Sequence, residues 1–173
     1  MKATSKSSKN GGAGDTFAVE TRSAAETEAL AGRLARALKG GMLVALTGEL
    51  GAGKTVFVRG LARGLDVPPG VMVTSPTYVL QHIYRGGRLT LYHIDLYRVL
   101  GGAAEFEGSG LRECLDDSEG LVCVEWPERV ADYQWPADHI IVQIEHLEPQ
   151  RRRIVMCPTG PHSRAALACI SRC

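Results

Sequence analysis

The run Gly48-Glu49-Leu50-Gly51-Ala52-Gly53-Lys54-Thr55 satisfies GxxxxGK[ST] in full, and its flanks restrict the chain further. Residues 42–47 ahead of it form a short apolar stretch of the kind buried on both faces of a sheet. From Lys54 to about Leu65, Phe57, Leu61 and Leu65 recur at helical spacing, although Gly60 and Gly64 weaken the helix. A strand that turns through glycines into a helix points successive backbone N–H groups inward and adds the positive end of the helix dipole, which together cradle a phosphate. Gly48, Glu49, Leu50, Gly51, Ala52, Gly53, Lys54, Thr55 and the next helical residue, Val56, would form that cradle. Lys54 would supply charge to the outer phosphates and the Thr55 hydroxyl would face Mg²⁺.

The remaining pattern suits one domain, as a length of 173 residues suggests. Residues 16–21 alternate apolar and polar, and Ser23 with Glu26 forms a capping box for a helix carrying Leu30, Leu34 and Leu38, stopped at Gly40-Gly41. Residues 77–84 and 88–94 read as a hairpin about Arg85-Gly86-Gly87, and 139–147 with 151–157 as a second hairpin. Between them, 103–115 is mixed helix and turn, 121–126 is a strand, and Pro127 begins a helix to about Tyr133. The expected class is α/β, a P-loop NTPase fold whose central sheet mixes parallel and antiparallel strands and is flanked by helices.

Five of the twenty basic residues lie in segments 1–14 and 158–173, which hold no acid, so a net charge of +1 leaves the core between them near −4. That balance excludes a polybasic nucleic-acid binder. Segment 1–14 is Gly/Ser-rich and read as a disordered basic extension, 15–157 as the nucleotide-binding domain, and 158–173 as a tail with at most a short helix. No apolar run approaches a membrane span or a secretory signal, and five scattered cysteines lack metal or disulfide spacing; a cytoplasmic protein without membrane contact is expected.

A phosphate cradle needs an acid beside its magnesium. Asp95 closes the strand 89–94 and Glu125 closes 121–124, each at the carboxyl edge where open α/β sheets bind ligands. Asp95 would hold Mg²⁺ directly or through water; Glu125 would activate or orient the attacking water, or complete the metal shell. No guanine-reading NKxD run occurs and no DxxG follows the second metal strand, which favours adenine. Trp126, expected on the opposite strand face to Glu125, is either a core aromatic or a flank of the nucleotide pocket. His93 reads as an ordinary core histidine, and Arg98 as either a charge stabiliser in cis or a supporting salt bridge.

With the cradle and Arg59-Gly60-Leu61, the blocks Val73-Thr74-Ser75-Pro76-Thr77-Tyr78, His93-Ile94-Asp95-Leu96-Tyr97-Arg98 and Val124-Glu125-Trp126-Pro127-Glu128 resemble the bacterial TsaE (YjeE) family over roughly residues 16 to 147. The resemblance implies a P-loop ATPase of tRNA N6-threonylcarbamoyladenosine synthesis that takes ATP and Mg²⁺. Such an enzyme is weak alone and acts on the TsaB–TsaD heterodimer, which modifies adenosine 37, meeting tRNA only through that complex. By this likeness Lys54, Asp95 and Glu125 serve catalysis, and Thr55, Asp95 and Glu125 the metal. Ser75 and Thr77 fall in a switch-like loop turned toward the γ-phosphate. Two rival readings are a small-molecule kinase, disfavoured because Arg151, Arg152 and Arg153 read as a solvated face rather than a lid, and a nucleotide-gated assembly module.

Overall fold

Strand β2 (Met42–Thr47) is apolar because it sits mid-sheet with helices over both faces; Met42 to Leu46 are all buried. The computed structural model describes residues 16–171, so the extension 1–14 and residues 172–173 lie outside the described residues. Along the chain β1 (Phe17–Thr21), α1 (Ala24–Ala37) and β2 lead to α2 (Lys54–Gly64), β3 (Gln81–Tyr84), β4 (Thr90–Asp95) and α3 (Gly102–Gly108). Then follow a 3-10 segment at Leu111–Asp116, β5 (Gly120–Glu125), a 3-10 turn at Pro127–Val130, β6 (His139–Glu148), β7 (Arg151–Pro158) and α4 (Pro161–Ser171). The sheet order is β1-β7-β6-β2-β5-β4-β3. β6, β2, β5 and β4 run parallel, with antiparallel pairs at both ends, the mixed sheet the sequence predicts.

Alternation along the central strands sorts the core into two layers. Val44 and Leu46, Leu91, Leu121 and Cys123 face α1, α2 and α4, whereas Leu43, Ile94, Val122 and Val124 face Phe106, Leu111 and Val130. Gly60 and Gly64 are contact points rather than weak points: a Cβ on Gly60 would lie 2.3 Å from the Glu28 carbonyl, and one on Gly64 2.3 Å from that of Gly32. The two backbones cross in contact there, which brings Glu28 to Arg63 at 2.6 Å. α1 starts with Ser23 Oγ accepting from Glu26 N–H, while the Glu26 carboxylate accepts from Arg22 N–H; Arg88 donates to the Ala35 and Leu38 carbonyls at its other end.

Three expectations change. The strand expected from residue 77 begins at Gln81, because Pro76 opens a turn in which the Val79 and Leu80 N–H groups donate to its carbonyl, with Leu80 at φ 62°. The helix expected to Tyr133 is a single 3-10 turn ending at Val130. Most of the expected tail is α4, an 11-residue helix whose Ala166, Leu167 and Ile170 join the core against α1. Asp138 accepts from the His162 and Ser163 N–H groups at the start of α4, and Pro161 needs no N–H there. No helix among the described residues is long and apolar enough to cross a membrane.

Candidate nucleotide-binding site

The glycines between β2 and α2 permit a turn other residues resist. Gly48 has φ 140° and passes so close to β6 that a Cβ would lie 2.3 Å from the Ile144 carbonyl, and Gly53 at φ 110° precedes Lys54, the first residue of α2. Lys54 Nζ folds back into the loop, donating to the Gly48 and Glu49 carbonyls at 2.7 and 3.0 Å, and lies 3.7 Å over the Trp126 ring. Burial pushes the Lys54 ammonium below the ordinary lysine value, against the pull of Glu125, Glu128 and Asp95. Arg152, expected on a solvated face, instead reaches the loop: its Nε donates to the Ala52 carbonyl at 3.2 Å.

The parallel register sets the acids. Leu46 pairs with Glu125 and Glu125 with Asp95, so the carboxylates sit at the carboxyl ends of β5, beside β2, and of β4, the next strand out, on the face that carries α2. Both are buried. Glu125 Oε1 accepts from the Thr55 hydroxyl at 3.2 Å and lies 2.8 Å from His93 Nε2. Asp95 takes a different place: its Oδ2 accepts from Ser75 and Thr77 hydroxyls at 2.5 and 2.7 Å, and its Oδ1 from the Tyr97 N–H at 3.0 Å. The loop of Ser75 and Thr77 is thereby tied to the end of β4. Trp126, at φ 61°, leaves the strand geometry, packs on the second core layer and presents its ring to Lys54. Arg98 lies over the Tyr78 ring at 4.3 Å, and no ion pair of it is found among the described residues.

The donor chemistry suits magnesium. A hydroxyl and a carboxylate already in contact are hard oxygen ligands, and Mg²⁺ binds through one or two such groups plus phosphates and water rather than a full protein cage. No cluster of three or more His, Cys, Asp or Glu fit to hold a metal by itself occurs among the described residues.

Residues 21–154 match the family model described as "Threonylcarbamoyl adenosine biosynthesis protein TsaE". The chain belongs to the TsaE family. It is 40% identical over 136 residues to the TsaE of Treponema pallidum, covering 79% of this chain and 96% of that protein, and 41% identical over 130 residues to the TsaE of Aquifex aeolicus, covering 75% and 86%. The crystal structure of Bacillus subtilis YdiB superposes with a TM-score of 0.76 at 30% identity, covering 91% of this chain and 95% of that one. Within this TsaE-family chain, sequence reasoning overlooked the contacts of His93 and Arg152. Period-two alternation sets His93 and Asp95 on one face and so held a signal for the first; nothing in the sequence pointed Arg152 at the loop.

Proposed function

We propose that this chain is a Mg²⁺-dependent ATP hydrolase of the cytoplasm that serves tRNA threonylcarbamoyladenosine formation by acting on a TsaB–TsaD pair. The observation that carries the chemistry is the contact of Thr55 with Glu125 beside the buried Lys54, at the mouth of the glycine turn. Backbone N–H groups of residues 48–55 and the Lys54 ammonium bind the phosphates; exchanging its loop carbonyls for phosphate oxygens costs Lys54 little, since both are acceptors. Thr55, Glu125 and Asp95 would hold the metal, which when bound would supply positive charge to the phosphate oxygens. Glu125 is also the carboxylate nearest to Thr55 and therefore the group that orients an attacking water. Asp95 fixes Ser75 and Thr77, so the loop follows what happens at the phosphates.

A nucleotide-gated docking role for the same loop is favoured by Met72 and Tyr78, which are 81% and 84% exposed on either side of Ser75. The two roles are compatible, because hydrolysis would then reset the loop. ATP turnover measured with and without a purified TsaB–TsaD pair and tRNA tests the proposal. Stimulation by the pair is expected; turnover indifferent to it removes the partner, and stoichiometric phosphorylation of a metabolite replaces the reaction with a kinase.

A further inference from the structure

His93 is fully buried on β4, yet a ring nitrogen bonds the carboxylate on which the proposed chemistry depends. Its Nε2 lies 2.8 Å from Glu125 Oε1, while Nδ1 is buried with no partner. A carboxylate oxygen accepts, so the proton belongs on Nε2. An N–H placed at Nδ1 would be a buried donor without a partner, whereas a bare lone pair there is the less costly omission. An N–H at Nε2 is the arrangement these contacts select. Tyr84 stacks on the ring with centroids 6.5 Å apart, and Cys123 is its register partner on β5, so its orientation is confined by packing as well.

The bonds from Thr55 and His93 fall on one oxygen, Oε1, and Oε2 takes part in neither. We propose that His93 is a positioning residue: as an Nε2–H donor it fixes the rotamer of Glu125, commits Oε1 to the Thr55 side and leaves Oε2 to serve the cleft. The proposal rests on the reading of Glu125 as the functional carboxylate. A donor held in packed surroundings commonly alters activity by about tenfold to a hundredfold when removed from behind a metal-site ligand.

The test uses the full chain with His93→Gln, His93→Asn and His93→Leu. The Gln amide nitrogen can occupy the place of Nε2, while the Asn amide falls on the Nδ1 side and Leu donates nothing. Expected are ATP affinities by calorimetry within about twofold of wild type for all three, kcat lowered about tenfold or more in Asn and Leu with KM little changed, and recovery of most of kcat in Gln. Imidazole ¹⁵N shifts of the wild-type protein should place the proton on Nε2 without reference to activity. Should Leu fail to fold, the Gln and Asn pair makes the same comparison. Equal kcat in Gln and Asn, or a proton on Nδ1, overturns the role of His93 alone. A wild-type chain that neither binds nor hydrolyses ATP overturns the functional reading first and this proposal with it.

Discussion

Lys54 and Glu125 are close neighbours with different work, and substitutions should separate them. Lys54→Ala removes the ammonium held by the Gly48 and Glu49 carbonyls, and is expected to abolish turnover mainly through lost nucleotide affinity, by about a hundredfold or more, read by calorimetry. Glu125→Ala should keep ATP binding and fail in hydrolysis; lost binding by a folded variant would move Glu125 from chemistry to affinity. Asp95→Asn replaces an acceptor that takes three donors by a group with one acceptor and one donor face, so either the Tyr97 bond is lost or the Ser75 and Thr77 hydroxyls must turn from donors to acceptors. Its turnover should vanish, and activity within about twofold of wild type would reject its role. At this scale the sequence told the residue types but not their pairing. GKT and two acids at strand ends could be read off, because strand alternation and the loop motif are local. That Thr55 meets Glu125 rather than Asp95, and that His93 stands behind it, depends on β5 lying between β2 and β4, which local pattern leaves open.

The crossing of α1 and α2 depends on glycines that helix propensity alone counts as faults. Gly64→Ala should therefore destabilise the protein by about 1–3 kcal/mol despite the better helix former, since the new methyl meets the Gly32 carbonyl and Ala35 Cβ. Gly70→Ala, where nothing lies within 4 Å, is the control, and denaturant midpoints of the two compare them directly. α4 invites a test by pH. Burial pushes the Asp138 carboxyl up, but the bonds it receives from Ser163 and His162 outweigh this and hold it below the usual aspartate value. A depressed carboxylate stabilises the fold above its unfolded value and loses that contribution as pH falls through the folded one. Acid melting of wild type and Asp138→Asn should thus converge at low pH, while at neutral pH the variant melts lower. Hairpins were legible here because Gly and Pro punctuate them; α4 was not, because Pro158-Thr159-Gly160-Pro161 reads as the end of structure when it is a turn into a capped helix.

For the molecule as a whole, thiol reactivity reports on the integrity of both core layers. Cys114 is pushed up to about 11 by burial, and burial with nearby Glu125 raises Cys123 well above the ordinary thiol value, so both are protonated and shielded at neutral pH. Among the four cysteines of the described residues, alkylation of the native protein should label the exposed Cys169 first, the half-buried Cys157 more slowly, and Cys114 and Cys123 only on unfolding. Early labelling of Cys123, read by mass spectrometry, would mean that the sheet beside Glu125 opens. The class of fold could be foreseen because a central apolar strand feeding a phosphate loop admits few architectures, whereas strand order and the extension of the sheet by β7 and β1 arise from contacts distant in sequence.

The row Leu46, Glu125, Asp95 also works as a yardstick. Adjacent strands are spaced about 4.8 Å apart, so Glu125 stands one rung from the strand that feeds the cradle and Asp95 two rungs, a separation fixed by backbone pairing and indifferent to side-chain length. Exchanging the two acids for one another is therefore not a conservative swap: a shorter carboxylate on the near rung retreats from Thr55, and a longer one on the far rung collides with the hydroxyls of Ser75 and Thr77. The choice of Glu near and Asp far is a measurement of distance written in methylene groups.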